Sequence, residues 1–253
     1  MISVCMATYN GERYIKRQID SILYQLGEDD ELIISDDGST DRTLEIIKKY
    51  NDSRIKIYEH IKKAELSKVK KLRNFYYATS NFENALIHSR GEYIFLADQD
   101  DIWESEKVKI MVEELKSNNF DLVMCNYSII DNDEQVVETK FYEVSPISKY
   151  RLMNILKSKY LGCCMAFSRN LLNKALPFPR KLLAHDYWIG CLSSNFSFID
   201  IPLHKYRRHT WNVSSSSEKS NNSFVLKISY RIKFLVLLLY RLIKLNIKKG
   251  CRK

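Results

Sequence analysis

Three carboxylates follow directly on an apolar run near the middle of the chain, at Asp98, Asp100 and Asp101. The run before them, Tyr93–Ala97, is uncharged and rich in aromatic residues, which predicts a buried strand of a parallel sheet. Open α/β sheets bind ligands at the carboxyl ends of such strands. The spacing of Asp98 and Asp100 lets a tight turn direct two carboxylates, or one carboxylate and a water, at a single Mg²⁺ or Mn²⁺ ion. A solvated acidic turn that caps the next helix is the alternative for so short a motif.

Two further polar turns follow predicted strands in the first part of the chain. One strand covers residues 2–7 and ends in Thr-Tyr-Asn-Gly, and the other covers 31–35 and ends in Asp-Asp-Gly-Ser-Thr-Asp. In the second turn Gly38 permits the backbone reversal, and the residues after it can cap a helix. With helices between them and a third strand at 54–58, these elements form a Rossmann-like half. The half has no Gly-x-Gly-x-x-Gly loop, so a dinucleotide is not the expected ligand.

The remainder of the chain continues the alternation of strands and helices. The predicted elements are a helix at 108–115, a strand at 121–126, a hairpin turn at 131–134, a buried run at 161–167, a helix at 169–175 and a strand at 198–206. At 253 residues, the chain is long enough for one large α/β domain or two small ones.

The composition excludes several classes of protein. Hydrophobic residues make up 45% of the chain and charged residues 28%, as in an ordinary globular protein. The six cysteines show no Cys-x-x-Cys pair and lie mostly in apolar runs. They indicate reduced core residues of a cytoplasmic protein rather than disulfides or a zinc site. The N-terminus lacks the basic region and the long apolar region of a signal peptide, so secretion is not expected.

The net charge of +9 is concentrated in two segments, residues 62–73 and the tail from Lys227 onward, which has no acidic residue. Basic clusters indicate anionic partners, which include nucleotide phosphates, a membrane surface and nucleic acid. A single-strand-binding groove also needs aromatic residues between its cations, and the basic segments lack them apart from residues 75–77. Nucleic acid is therefore not an expected partner.

A Ser- and Asn-rich linker at 214–223 separates the rest of the chain from a tail at 224–253. In the tail, basic residues recur on one side of a helical wheel and apolar residues on the other. Its uninterrupted apolar stretch, Phe234–Tyr240, is far shorter than the ~20 residues of a spanning helix. The pattern favours a helix lying in an anionic membrane leaflet. The alternative is a helix packed on the domain or on a second subunit. The basic side comprises Lys227, Arg231, Lys233, Arg241, Lys244 and Lys248.

Five short motifs occur in a fixed order over residues 1–213. They are Ala-Thr-Tyr-Asn-Gly at 7–11, Asp-Asp-Gly-Ser-Thr-Asp at 36–41, Asp-Gln-Asp-Asp-Ile-Trp at 98–103, His-Asp-Tyr-Trp at 185–188, and Tyr-Arg-Arg-His at 206–209 with Asn212. Together they resemble the family 2 glycosyltransferases of the GT-A fold, and within them the rhamnosyltransferase-type enzymes of bacterial surface-polysaccharide synthesis. The resemblance implies a Rossmann-like α/β domain with a mixed, mainly parallel sheet flanked by helices, followed by the amphipathic helical tail.

The resemblance also implies that the first two turns hold the nucleotide of an activated sugar. A carboxylate that accepts from a pyrimidine N3–H and an aromatic ring against the base suit both uracil and thymine. Turn and capping duty is the alternative for the two acids, and core packing is the alternative for the tyrosine at helical spacing. The implied nucleotide contacts are Thr8, Tyr9, Asn10, Tyr14, Asp36 and Asp37, with Asn84 as a further candidate.

By the same resemblance, the Asp-x-Asp motif holds a Mn²⁺ or Mg²⁺ ion. Asp100 is the direct metal ligand, Asp98 contacts the ribose or reaches the metal through a water, and Asp101 is left to cap the next helix. His209 completes the metal shell or contacts the diphosphate, and Arg207 or Arg208 pairs with phosphate oxygens. The cation would neutralise the departing nucleoside diphosphate.

Asp186 matches the position of the family's catalytic base. In an inverting transfer the acceptor hydroxyl approaches from the face opposite the leaving diphosphate, and a carboxylate within hydrogen-bond reach takes its proton. A helix N-cap before Tyr187 is the ordinary alternative. Two features depart from the family pattern: the Gly that often precedes its Asn-Phe pair is missing before Asn81, and His185 stands where many relatives have Glu.

The sequence thus predicts an inverting, metal-dependent glycosyltransferase that moves a sugar from dTDP-rhamnose or a UDP-hexose to a glycan or glycolipid acceptor. The acceptor is expected to be lipid-linked, and the enzyme is expected in the cytoplasm, attached by its tail to the inner face of the cell membrane. A homodimer would fit the alternative in which the tail helix packs on a second subunit. A polyanion- or nucleic-acid-binding module and a catalytically inactive membrane adaptor of the same fold are the competing hypotheses.

Overall fold

The computed structural model describes residues 1–62, 72–117, 119–139, Met153, 160–208 and 224–250, with 224–227 and 248–250 described by their backbone alone. The strands are Ile2–Thr8 (β1), Glu31–Asp36 (β2), Ile55–Glu59 (β3), Tyr93–Asp98 (β4), Ile102–Trp103 (β5), Leu122–Ile130 (β6), Val136–Glu138 (β7), Met165–Ser168 (β8) and Phe196–Arg207 (β9). The helices are Ile15–Leu23 (α1), Thr43–Lys48 (α2), Arg73–His88 (α3), Lys107–Ser117 (α4), Arg169–Ala175 (α5), His185–Leu192 (α6) and Phe224–Gly250 (α7), and a 3₁₀ turn covers Gly162–Cys164.

These strands form one sheet in the order β3-β2-β1-β4-β8-β6-β9-β5, with β7 paired to β6. β1 pairs in parallel with β2 and β4, and β6 pairs in parallel with β9 over nine register positions. β8 runs antiparallel to both β4 and β6, and it joins the two parallel parts. The predicted mixed, mainly parallel α/β sheet is therefore confirmed.

The middle strands are apolar on both faces because helices cover both sides of the sheet. Val4 and Met6 of β1, Ile33 of β2 and Phe95 of β4 are completely buried in one continuous core. Gly91, just before β4, permits a close approach of two backbones, since a Cβ there would lie 2.5 Å from the backbone nitrogen of Ser3. Because β1 pairs in parallel with β2 and β4, the carboxyl ends of these three strands meet at one edge of the sheet.

Three strands, β1, β2 and β4, end one residue later than the sequence pattern predicts. The parallel ladder continues until Thr8 faces Asp36 and Ala7 faces Asp98. Asp98 is therefore the last residue of β4 rather than part of a turn. The backbone of Asp98 can remain in the ladder because its side chain lies at the carboxyl edge of the sheet.

The tail forms a helix, as predicted, and one face of α7 packs on the domain. Phe234 stacks on Tyr187 of α6 with ring centroids 4.2 Å apart, and Leu238 is buried. Arg241, one of the cations on the basic side of the wheel, faces the domain. Its guanidinium donates to the carbonyl oxygens at the end of α5, including those of Lys174 and Ala175 at 3.0 and 3.2 Å, because these terminal carbonyls lack partners within their own helix. The linker at 214–223 lies outside the described residues.

The opposite face of α7 is apolar and exposed. On a wheel of about 100° per residue its members fall on one side of the helix, and we call them the apolar stripe. The stripe comprises Ile228, Ile232, Leu235, Val236, Leu239, Tyr240, Ile243 and Ile247. Among the described residues, no helix combines the length and apolarity that a membrane crossing requires.

Candidate active site

Asp36 fixes the turn after β2 at the shared edge of the sheet. Its carboxylate accepts from the hydroxyls of Thr8 and Ser39 at 2.9 and 2.6 Å and from the backbone N–H groups of Gly38 and Ser39 at 3.0 and 2.8 Å. These bonds occupy the roughly four acceptor sites of a carboxylate. Gly38 adopts φ 77°, a left-handed backbone conformation that residues with a side chain rarely adopt. Asp36 therefore carries out the turn duty that was its alternative role, and it holds Thr8 in place.

Asp37 lies beside Asp36 in a second buried polar cluster. Its Oδ1 is 2.6 Å from Nδ1 of His60, whose Nε2 is 2.8 Å from the hydroxyl of Ser80. The other oxygen of Asp37 forms an ion pair of 3.2 Å with Lys62, and the Lys62 ammonium lies 4.5 Å from the centroid of the Tyr9 ring. The structure thus brings together a fixed carboxylate, a cation and a half-exposed aromatic ring.

Gln99 ties the turn after β1 to the turn after β4. Its side-chain oxygen accepts from the N–H of Tyr9 at 2.9 Å, and its amide nitrogen donates to the carbonyl of Tyr9 at 2.9 Å. Asn10 follows in a left-handed conformation, and its side-chain oxygen accepts from the N–H of Thr40 at 2.8 Å. The three turns therefore form one continuous polar surface.

An acidic cluster, defined here as Asp98, Asp100 and Asp186, lies at the carboxyl end of β4. Burial raises the pKa of Asp98 well above its usual range. The negative charges of Asp101, Asp100 and Asp186 act in the same direction. Gly162 packs against both Asp186 and Leu96 of β4, so Asp186 lies beside that strand. Gln18 supports the cluster from α1 by donating to the carbonyl of Asp98 at 2.8 Å. Carboxylates that repel one another in this way match the hard oxygen ligands that Mg²⁺ and Mn²⁺ prefer.

Asp101 does not cap a helix, contrary to expectation. It is 1% exposed, and α4 begins only at Lys107. Its oxygens lie 2.9 Å from Nε2 of His204 and 2.9 Å from the backbone nitrogen of Arg207. Nδ1 of His204 lies 3.1 Å from the Lys107 ammonium, which can only donate, so Nδ1 accepts that hydrogen bond. Nε2 therefore carries the ring proton and donates a hydrogen bond to Asp101. Asp101 therefore holds β9 against the turn that follows β4.

Asp101, Cys163 and His204 have the residue types of a metal site and lie within 4.8 Å of one another. The Lys107 ammonium already supplies the positive charge there, because it donates to the carbonyl of Cys163 at 2.6 Å and faces His204. Burial raises the pKa of the Cys163 thiol to about 12, so the thiolate that a metal needs is disfavoured. This group is a hydrogen-bonded network rather than a cation site.

The prediction that Arg207 pairs with phosphate oxygens is also revised. Arg207 is 1% exposed, and its guanidinium donates to the carbonyls of Asp100 and Asp131 at 2.9 and 3.0 Å. Tyr14 covers it, with the Arg207 carbon 4.9 Å from the ring centroid, and the Tyr14 hydroxyl donates to Asn132 at 2.8 Å. Both residues therefore hold the turn that follows β4 against the β6–β7 hairpin. Arg208, the next residue, is only partly buried.

Asp186 lies in the first turn of α6, where its Oδ1 accepts from the N–H of Tyr187 at 2.7 Å. It is not the N-cap, which is Ala184. The adjacent His185 stacks on Phe82 with ring centroids 4.1 Å apart, and burial lowers its pKa. Gly162 of the 3₁₀ turn lies against both residues, since a Cβ there would be 3.4 Å from Cβ of Asp186 and from Nε2 of His185.

Sequence reasoning selected Asn84, but Asn81 lies closer to the edge of the sheet. The amide of Asn84 donates to the hydroxyl of Ser35 at 2.8 Å and to the carbonyl of Glu59 at 3.2 Å, so it supports the strands. Asn81, one turn earlier, donates to the carbonyl of Thr8 at 3.2 Å, while its own buried oxygen has no partner among the described residues. The available signal was an Asn on the buried side of the helix, at helical spacing from Ala85. His209 and Asn212 lie outside the described residues.

Comparison with known proteins identifies relatives whose sequences match most of the chain. Residues 3–176 match the profile of glycosyl transferase family 2. The chain is 32% identical over 226 residues to the Escherichia coli UDP-Glc:alpha-D-GlcNAc-diphosphoundecaprenol beta-1,3-glucosyltransferase WfgD, covering 87% of this chain and 81% of the relative. It is 28% identical over 248 residues to the dTDP-rhamnosyl transferase RfbG of Shigella flexneri, covering 90% of this chain and 76% of the relative.

A solved structure of similar fold is that of S. aureus TarS 1-349 in complex with UDP-GlcNAc. The TM-score is 0.67 at 19% identity, and the alignment covers 93% of this chain. The chain spans 66% of that structure's length, so TarS has a substantial further part that this chain does not match. At this identity the likeness concerns the fold alone.

Proposed function

The chain belongs to glycosyl transferase family 2, and from that membership we propose that it is an inverting, divalent-metal-dependent transferase with a lipid-linked acceptor. It is a glycosyltransferase that acts on a nucleotide sugar in polysaccharide biosynthesis. The observation that carries the proposal is the acidic cluster, because Asp98 ends β4, Asp100 follows two residues later, and Asp186 comes from α6. Asp98 and Asp100 are the proposed cation ligands, and Asp186 is proposed to act on the acceptor hydroxyl.

The donor set fits Mn²⁺ or Mg²⁺. Asp100 would bind the ion directly, and Asp98 would bind it through a water or contact the ribose, so the ion would relieve the repulsion that raises the pKa of Asp98. When bound, such an ion supplies Lewis-acid stabilisation of the departing diphosphate. His209 is proposed to complete the site. Asp101 and Arg207 position the turn after β4 that carries Asp100.

The nucleotide is proposed to lie along the joined turns after β1 and β2. Tyr9 offers an exposed ring face to a pyrimidine base, and Asp37 can accept from its N3–H, since a carboxylate oxygen accepts more than one hydrogen bond. Asn10 is exposed on the same surface, with the buried Thr8 beneath it as a further proposed contact, and Arg208 is the remaining candidate for a phosphate contact. The names of the relatives support UDP-glucose or dTDP-rhamnose as the donor.

Asp186 is proposed as the general base. Its carboxylate keeps one oxygen on the N–H of Tyr187 and has a second oxygen with which to take the acceptor proton. Burial keeps His185 neutral, so it adds no positive charge that would weaken the base. The name of WfgD supports an acceptor that ends in a lipid diphosphate.

A donor screen tests this function. Thermal unfolding of the full chain is measured with UDP-glucose, UDP-galactose or dTDP-rhamnose, each with Mn²⁺ or with EDTA. One donor is expected to raise the unfolding temperature only with Mn²⁺, because a ligand at 100 times its Kd stabilises the folded state by about 2.7 kcal/mol. Inversion is then checked from the anomeric configuration of the product. Donor binding that is equal in EDTA would contradict metal dependence, and binding of no nucleotide sugar would contradict the function.

Membrane attachment is proposed to use the apolar stripe of α7. The stripe faces away from the domain, and cations such as Lys233 and Lys244 border it, as in helices that lie in an anionic leaflet. Val236, Leu239 and Ile243 are about 60% exposed, which leaves enough apolar surface for burial in a membrane.

Vesicle flotation tests the stripe. The double change Leu239→Asp and Ile243→Asp is expected to weaken binding to phosphatidylglycerol-rich vesicles at least 100-fold, since it removes about 3 kcal/mol of apolar burial. Ile87→Asp is the matched control, because Ile87 is a similarly exposed isoleucine on α3. If the double variant floats normally but converts a dimer into a monomer in sedimentation, the stripe is a subunit interface instead.

A further inference from the structure

A groove of about 170 Å³ lies between the start of α6 and the first half of α7. It is similar in size to an engineered cavity of about 150 Å³ that binds benzene, so it can hold a short piece of hydrocarbon. Its walls include Leu183 and Tyr187 on one side and Tyr230, Phe234 and Leu237 on the other. The stack of Phe234 on Tyr187, both of which line the groove, joins the two helices.

Three cations also line this groove. Lys181 precedes α6, while Arg231 and Lys233 project from α7, and all three are exposed. Among the groove residues there is no acidic side chain to neutralise them. An apolar wall beside unbalanced positive charge is complementary to a molecule with a hydrocarbon chain and an anionic end.

The groove adjoins the proposed base. Ala184 and Tyr187, which flank residues 185 and 186, both line it. On its other side, Lys233 borders the apolar stripe of α7. A molecule in the groove would therefore extend from the membrane-facing side of α7 towards Asp186.

We propose that this groove binds the lipid-diphosphate part of the acceptor, with the first isoprenoid units on Phe234 and Leu237 and the diphosphate on Arg231 and Lys233. This inference rests on the proposed function, and it gives the acceptor a site separate from that of the donor. The donor diphosphate is expected at the acidic cluster, where a bound cation would offset the negative charges. Without a cation, the carboxylates of this cluster repel a diphosphate. The sugar attached to the acceptor diphosphate would then lie next to Asp186.

Direct binding tests the groove. Farnesyl diphosphate is titrated into the full chain in detergent with EDTA, so that no metal recruits it to the donor site, and binding is followed by intrinsic fluorescence. The variant Lys233→Glu is expected to weaken the affinity at least 10-fold. Lys244→Glu is the matched control, since it places the same charge change on the same helix, at an exposed residue outside the groove. Farnesol and inorganic pyrophosphate are each expected to bind at least 10-fold more weakly than farnesyl diphosphate.

Transfer kinetics complete the test. With a polyprenyl-diphosphate-linked acceptor, Lys233→Glu is expected to raise the acceptor KM at least 10-fold and to leave the KM of the donor unchanged. With the same sugar as a methyl glycoside, parent and variant are expected to have equal KM values. Equal losses for Lys233→Glu and Lys244→Glu, or farnesyl diphosphate binding that Lys233→Glu does not weaken, would overturn the groove. Since donor-only hydrolysis is measured on the same samples, failure of the groove is distinguished from failure of the glycosyltransferase assignment.

Discussion

Replacing Asp186 by asparagine is expected to lower the rate of sugar transfer by about 10²–10⁴-fold, the usual contribution of a general base. Asparagine has nearly the same shape, and its side-chain oxygen can still accept from the N–H of Tyr187, so α6 is expected to keep its first turn. It cannot take a proton from the acceptor hydroxyl. The measurement is single-turnover transfer with saturating donor and acceptor.

Donor binding separates this effect from a general disturbance of the site. The affinity for the nucleotide sugar with Mn²⁺ is expected to stay within about twofold of the parent's, because Asp186 is not among the proposed metal ligands. Asp29→Asn, which neutralises an exposed carboxylate remote from the acidic cluster, is the control and is expected to transfer sugar at the parent's rate. Transfer by Asp186→Asn at more than a tenth of the parent's rate would remove Asp186 from the role of base.

Replacing Asp100 by asparagine is expected to abolish metal-dependent donor binding and to reduce transfer about 10³-fold or more. A Lewis-acid contribution of about 4 kcal/mol corresponds to a factor of about 10³ in rate. Asparagine retains one neutral oxygen ligand but loses the charge that Mn²⁺ requires. The backbone carbonyl of Asp100, which accepts from Arg207 at 2.9 Å, is unaffected. The measurement is the shift in unfolding temperature that donor and Mn²⁺ produce together.

Stability in EDTA shows whether the Asp100 variant is properly folded. Since the negative charge of Asp100 acts against ionised Asp98, its removal relieves repulsion, and the variant is expected to unfold at or above the parent's temperature. Asp133→Asn, at an exposed hairpin position, is expected to behave as the parent in both assays. An unchanged Mn²⁺-dependent shift in Asp100→Asn would show that Asp100 is not the metal ligand.

The order of elements could be predicted from the sequence because local patterns determine it. The uncharged run before Asp98 has no polar position at which a strand could face water, so it had to be a buried strand. The helix at 169–175 and the hairpin after Ile130 were marked by periodicity and by turn residues in the same way. That the acidic motif falls at the carboxyl edge follows from the strand assignment alone.

The roles of the buried charged residues could not be predicted, since their partners are distant in sequence. Asp101 looks like a capping residue until β9 brings His204 to it from 103 positions away. Arg207 looks like a phosphate ligand until the hairpin carbonyl of Asp131 and the ring of Tyr14 enclose it. Arg241 fits a basic helix face until the end of α5 supplies carbonyl acceptors. In each case tertiary contacts determine the role, and no local periodicity encodes them.

The bridge that Gln99 makes to Tyr9 explains why the acidic run is interrupted. The carbonyl of Tyr9 needs a donor and its N–H needs an acceptor, and both come from the one side-chain amide. A carboxylate at residue 99 could supply only the acceptor, and it would place an oxygen against the Tyr9 carbonyl. Every substitution at residue 99 except one that offers both a donor and an acceptor at the same reach would therefore break at least one of these two hydrogen bonds to the turn after β1. The identity of residue 99 is set by Tyr9, although its neighbours on either side are acids.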